Sequence, residues 1–206
     1  MIRKAVVVVV IGLLGLLGYR LLAPSPGPTI RNDRPSGENI ICFGDSLTYG
    51  TGAPRGMDYP TRLSQLISGP VMNKGVPGDT TARALERLDE DVLSQSPRIV
   101  LITLGGNDLK NGISKDIAFR NLRVIIESIQ DMGALVIVGG IDLPVWGRGF
   151  EDAYRQTCRE TGAVLVPNIF EGIFGNRQLM SDAIHPNGEG YALIAEKFHR
   201  AMKPYL

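Results

Sequence analysis

Metal-binding side chains are scarce in this chain: among 206 residues there are two histidines, His185 and His199, and two cysteines, Cys42 and Cys158. Two separated histidines offer no ligand cluster, which argues against metal catalysis. Cys42 falls in a strand-like run and Cys158 in a helix-like one, so both read as small core residues, and the sequence supports no disulfide between them. Any basic run or aromatic-basic alternation is also missing. The 22 Lys and Arg are interspersed with 21 Asp and Glu for a net charge of +1, which excludes nucleic acid as the expected partner. No internal repeat is evident, and 44% hydrophobic content over this length allows one ordinary domain with a full core.

What the N-terminus does have is an apolar run. Arg3 and Lys4 precede an uninterrupted stretch from Ala5 to Gly18, which continues through Tyr19, Arg20, Leu21 and Leu22 to Ala23. Counted to Ala23 it reaches roughly 28 Å as a helix, close to the hydrocarbon thickness of a bilayer. Positive charge ahead of it orients the rest of the chain to the extracytoplasmic side. A cleaved signal peptide shares these regions but wants small residues before the cut, and Leu21 and Pro24 fit that poorly. Segment 1–23 is therefore expected to be an uncleaved inner-membrane anchor of the cell envelope, and the membrane a partner through it. No cysteine follows the run, so lipidation there is excluded. Residues 24–38, rich in Pro, Gly, Ser and charge, predict an extended tether ahead of a domain at 39–206.

From residue 39 strand-like and helix-like segments alternate. The strand candidates are Ile40 to Phe43, Val71 to Asn73, Ile99 to Leu104, Leu135 to Val138 and Val164 to Val166. They are apolar runs without alternation, as expected when both faces of a parallel sheet are covered. Between them, spacings of three and four place three apolar sets each on one helix face: Leu85, Leu88 and Val92; Ala118, Leu122, Ile125, Ile129 and Met132; and Tyr191, Ile194, Ala195, Phe198 and Met202. The alternation predicts an α/β domain, a three-layer α/β/α sandwich on a parallel sheet. Functional residues then belong beyond the carboxyl ends of the strands.

Four strand ends carry candidate chemistry. The first is Gly44-Asp45-Ser46, running into a turn with Gly50 and Gly52. The second, Asn73 to Thr80, contains Gly78, whose amide can approach a ligand with no side chain in the way; it reads equally as a helix start capped by Asp79 or Thr80. The third is Gly105-Gly106-Asn107-Asp108, where Asn107 has an amide free to point into a cleft or to serve a turn. The last is Asp182-Ala183-Ile184-His185-Pro186. Asp182 lies three residues before His185, so a turn can bring its carboxylate to Nδ1 and leave Nε2 facing outwards. His199 lies near the end of a terminal helix, where an imidazole merely suits the dipole.

Taken in order, Gly44-Asp45-Ser46-Leu47, the Gly78 turn, Gly105-x-Asn107-Asp108 and Asp182-x-x-His185-Pro186 resemble the four blocks of the GDSL or SGNH hydrolase superfamily, across residues 40–191. The wording Gly-Val-Pro-Gly-Asp-Thr-Thr and Leu-Gly-Gly-Asn-Asp is most similar to its bacterial arylesterase, thioesterase and lysophospholipase branch. The resemblance implies a flavodoxin-like sheet and an enzyme that cleaves short to medium acyl esters or thioesters with no cofactor. It also implies Ser46 as nucleophile, His185 as base and Asp182 as the base's partner, with an oxyanion hole made by the Ser46 amide, the Gly78 amide and the Asn107 side chain. A Gly-x-Ser-x-Gly elbow is lacking, which sets the chain apart from the usual α/β-hydrolases. For substrate contact the candidates are Leu109 and Ile113, after Asn107, and Trp146, after the fourth strand. Two other readings stay open: a cell-envelope carbohydrate O-acetylesterase, and an anchored envelope-binding module that keeps the motif without turnover.

Overall fold

The computed structural model of the protein describes residues 29–143 and 149–206. The expected anchor at 1–23 and the candidate Trp146 lie outside these residues, and no helix among the described residues is long and apolar enough to cross a membrane. The strand candidates form β1 (Asn39–Gly44), β2 (Met72–Gly75), β3 (Pro97–Thr103), β4 (Leu135–Gly139) and β5 (Val164–Val166); β2, at the sheet edge, starts after Val71 and is polar and partly exposed rather than an apolar run. All pair in parallel, in the order β2-β1-β3-β4-β5. Consecutive residues of the three central strands are fully buried, such as Ile41, Cys42 and Phe43 in β1 and Val136, Ile137 and Val138 in β4. Helices cover both faces, so neither face needs polar residues.

Those helices are α1 (Ser46–Tyr49), α2 (Tyr59–Ile67), α3 (Thr81–Glu86), α4 (Leu88–Asp91), α5 (Gly106–Lys110), α6 (Lys115–Asp131), α7 (Phe150–Thr161) and α8 (Gly188–Met202). The crossovers put α2 on one face and α3, α6 and α7 on the other, and α8 returns to pack on α2. Tyr59 of α2 stacks on Phe198 of α8 at 5.2 Å between ring centroids, and Phe119 of α6 meets Tyr154 of α7 edge-on at 4.8 Å. The chain leaves β1 in one direction to form β2, then crosses back to β3 on the other side of β1. Connections thus diverge between β1 and β3, which opens a crevice at their carboxyl ends.

Three expectations are corrected. The stripe Leu85, Leu88 and Val92 is not one helix: Arg87 ends α3 and begins α4, although Leu88 and Val92 are still buried. Met132 is half exposed rather than core, because α6 stops at Asp131 and Met132 is its C-cap. The described part of the predicted tether, residues 29–38, lies on the domain. The Arg31 amide donates to Gly162 O at 2.9 Å, the Ser36 amide to Gly133 O at 3.1 Å and the Glu38 amide to Ser96 O at 2.9 Å. Asn32 Nδ2 adds bonds to Gln130 O and Ala134 O, at 2.8 and 2.9 Å. Gly162, Gly133 and Ser96 each lie just ahead of a strand, so this strap crosses the amino ends of the sheet, away from the crevice.

Candidate active site

The segments that leave β1 and β3 form the borders of the crevice. β1 ends at Gly44, where a Cβ would collide with Thr103 O and Thr48 Oγ1, so only glycine fits against β3. Asp45 then caps α1, its Oδ1 accepting from the Leu47 amide at 3.0 Å. The cap makes Ser46 the first residue of the helix, half-buried at the crevice, with an amide that has no partner within the helix.

His185 arrives on a loop closed by its own hydrogen bonds. The Ser181 amide donates to His185 O at 2.9 Å, and Asp182 Oδ1 accepts the amides of Ile184 and His185 at 2.8 and 2.7 Å. This turn places Asp182 Oδ2 2.7 Å from His185 Nδ1, while His185 Nε2 stands 3.1 Å from Ser46 Oγ. Slight burial would raise the Asp182 carboxyl, but the imidazole and the two amides outweigh it and bring the pKa down to about 2. Asp182 is thus an anion throughout the neutral range, held against the ring it orients.

Gly78 sits at φ +84 in the turn after β2, exposed, with open space where a Cβ would be; backbone conformation, not crowding, selects glycine there. Its amide meets no acceptor among the described residues. Arg87 secures this turn from below: Nε donates to Asp79 Oδ2 at 2.6 Å, Nη1 to Lys74 O at 3.1 Å and Nη2 to Gly44 O at 3.0 Å. Thr80, rather than Asp79, caps the helix that begins at Thr81.

Asn107 lies in α5 after β3, and its amide is not free. Nδ2 donates to Asp45 Oδ2 at 3.1 Å and to Asp79 O at 2.9 Å, tying the Ser46 and Gly78 sides of the crevice together. Asp45 is thereby buried, 2% exposed, between two donors. Burial pushes its pKa up to about 7 against the pull of the Leu47 amide, and the nearby Asp79 and Asp108 carboxylates add to the rise. The folded protein therefore binds this proton more tightly than the unfolded chain, whose Asp titrates near ~3.9, and the contribution of Asp45 to stability falls as pH rises from ~4 to about 7. Asp45→Asn removes that dependence. Thermal melts at pH 4.5 and pH 8 should show the variant gaining on the wild type at the higher pH; an equal difference at both would contradict the shift.

Beside Ser46 the crevice deepens into a cleft of ≈ 60 Å³. Its wall is apolar, with Leu47, Leu109, Ile141, Leu143, Phe170 and Ile184, and Lys110 stands at the rim. Leu109 is among the expected contacts; Ile113 does not line the cleft. Its amide donates to Asp108 O at 2.9 Å, closing the turn after α5, and the side chain is left half-buried there. Ile141, Leu143 and Phe170 come from loops after β4 and β5 and carry no sequence signal beyond being apolar near a strand end. Both cysteines are free and buried, and burial raises both thiols, that of Cys158 to about 12.

Known proteins resemble this chain in sequence and in fold. The chain is 31% identical to an arylesterase of Vibrio mimicus over 170 residues, covering 77% of this chain and 85% of that one. It is 29% identical to thioesterase 1/protease 1/lysophospholipase L1 of Escherichia coli K12, covering 81% and 84%. The crystal structure of TesA superposes with a TM-score of 0.78 at 27% identity, over 82% of this chain and all of that one. Residues 42–193, from the middle of β1 into α8, match the GDSL-like Lipase/Acylhydrolase family, and the chain belongs to it as a serine ester hydrolase.

Proposed function

We propose that Ser46, His185 and Asp182 form a catalytic triad that hydrolyses short-chain acyl esters and thioesters through an acyl-enzyme. The observation that carries this is the unbroken relay of contacts, 2.7 Å from Asp182 to His185 and 3.1 Å from His185 to Ser46. A serine hydroxyl is a weak nucleophile at its free pKa. His185 Nε2 takes its proton as Oγ attacks the acyl carbon, then delivers it to the departing alcohol or thiol. Asp182 fixes the tautomer and stabilises the imidazolium. Water attacks the acyl-enzyme by the same route in reverse.

Charge gathering on the carbonyl oxygen falls to the Ser46 and Gly78 amides and to Asn107. Asn107 Nδ2 shares with the oxygen the hydrogen now directed at Asp45 Oδ2, the longer of its two bonds. The acyl chain occupies the apolar cleft. At ≈ 60 Å³ it is well below the ~150 Å³ that takes a benzene ring, which favours acetyl to butyryl groups. A thiol leaving group is supported by the thioesterase activity in the name of the Escherichia coli relative.

The test is labelling of Ser46 by a fluorophosphonate, beside a panel of aryl ester, acyl thioester, lysophospholipid and acetyl-sugar substrates. Labelling with turnover of short aryl esters and thioesters is expected; absence of labelling would leave a binding module in its place. The small cleft also suits an acetyl group on a carbohydrate. Release of acetate from acetylated polysaccharide, with no turnover of aryl esters, would favour that second reading. Leu143→Ala widens the cleft at a half-buried position, and the kcat/KM ratio of octanoyl over butyryl ester should rise about tenfold, since one methylene in an apolar pocket is worth ~1–3 kcal/mol.

A further inference from the structure

We infer that Lys110 forms an anion subsite at the rim of the cleft, so that esters carrying a carboxylate or phosphate a few bonds from the scissile carbonyl are preferred; this rests on the hydrolase reading above. Lys110 is the last residue of α5, one turn beyond Asn107, which puts their Cβ atoms about 5–6 Å apart on the same helix face. That helix is firmly seated. Asp108, fully buried, accepts from the Thr81 amide at 2.9 Å and from Thr81 Oγ1 at 2.6 Å, and Asn121 Nδ2 braces Thr81 Oγ1 at 3.3 Å. The backbone that carries Lys110 is therefore fixed relative to the donors that would hold the carbonyl oxygen.

The chemistry of the cleft isolates this cation. The described residues that line it supply no other lysine or arginine, and Asp45 is the one carboxylate among them, turned inward onto Leu47 and Asn107. Lys110 makes no hydrogen bond or ion pair among the described residues, whereas Lys74 is paired with Asp91 at 3.0 Å and Lys197 is held by backbone carbonyls, the nearest being Glu171 O at 2.6 Å. A helix of five residues has little dipole for a terminal lysine to serve. An exposed ammonium gains little from an anion in open water, but an apolar wall on one side lowers the local dielectric and strengthens the attraction.

Two matched pairs test this on the full chain. One places the anion on the alcohol arm, 4-acetoxybenzoate against its methyl ester; the other on the acyl arm, mono-4-nitrophenyl succinate against 4-nitrophenyl butyrate. The expected result is a kcat/KM ratio of anionic over neutral ester that falls about five- to tenfold in Lys110→Gln for at least one pair, and further in Lys110→Glu. The pair that responds identifies the arm. Added salt should erode the wild-type ratio in the same pair. Ratios equal in wild type and Lys110→Gln for both pairs, with the neutral esters still cleaved, would overturn the subsite and leave the esterase standing. Failure of the wild type to cleave any of the four would remove the esterase reading, and the subsite with it.

Discussion

Ser46→Ala should lower kcat by about 10⁴ to 10⁶, the range in which loss of a serine nucleophile leaves only the residual effect of binding and oxyanion donors. The fold should be untouched. Ser46 is half-buried, its Oγ has one partner among the described residues, His185 Nε2 at 3.1 Å, and its backbone role at the start of α1 depends on the Asp45 side chain rather than on its own. Stability should stay within about 0.5 kcal/mol, as for most surface changes away from caps and cores. A purified Ser46→Ala protein with an unchanged melting curve and no fluorophosphonate label would place the loss in the chemistry. Wild-type turnover in that variant would sink the triad.

Asn107→Ala should reduce kcat by about 10²- to 10³-fold, the usual cost of removing one oxyanion donor. KM should change little, because the substrate contacts proposed above come from the apolar wall and not from Asn107. A second effect separates this residue from Ser46. Its amide is the donor to Asp45 Oδ2 and to Asp79 O, both on buried residues, so truncation leaves acceptors unpaired and should cost about 1–3 kcal/mol of stability. Activity must therefore be assayed well below the melting point. A kcat within twofold of wild type at such a temperature would rule Asn107 out of the oxyanion hole, whatever the stability change.

Much of this was legible in the chain because local pattern and final environment agree. β1, β3 and β4 read as unbroken apolar runs since they are covered on both faces, and the set from Tyr191 to Met202 is fully buried on α8. Asp182 and His185 could be paired on paper because three residues of turn suffice to join them. Where pattern and environment part, the reading fails. Nothing local announces that Arg87 will break a helix to reach Gly44 and Asp79, or that Asp45 will hold both a helix cap and the Asn107 amide. The partners that decide these roles, Gly44 for Arg87 and Asn107 for Asp45, lie tens of residues away. The cleft wall was mostly invisible for the same reason: Ile141 and Leu143 come from the loop after β4 and Phe170 from the one after β5, and these meet only once the sheet is formed.

The strap at residues 29–38 gives the molecule a fixed heading. It runs across the amino ends of the strands, and Ser46, His185 and the cleft lie beyond the carboxyl ends, so the backbone at residue 29 meets the domain at the pole opposite the mouth, with the thickness of the sheet between the two.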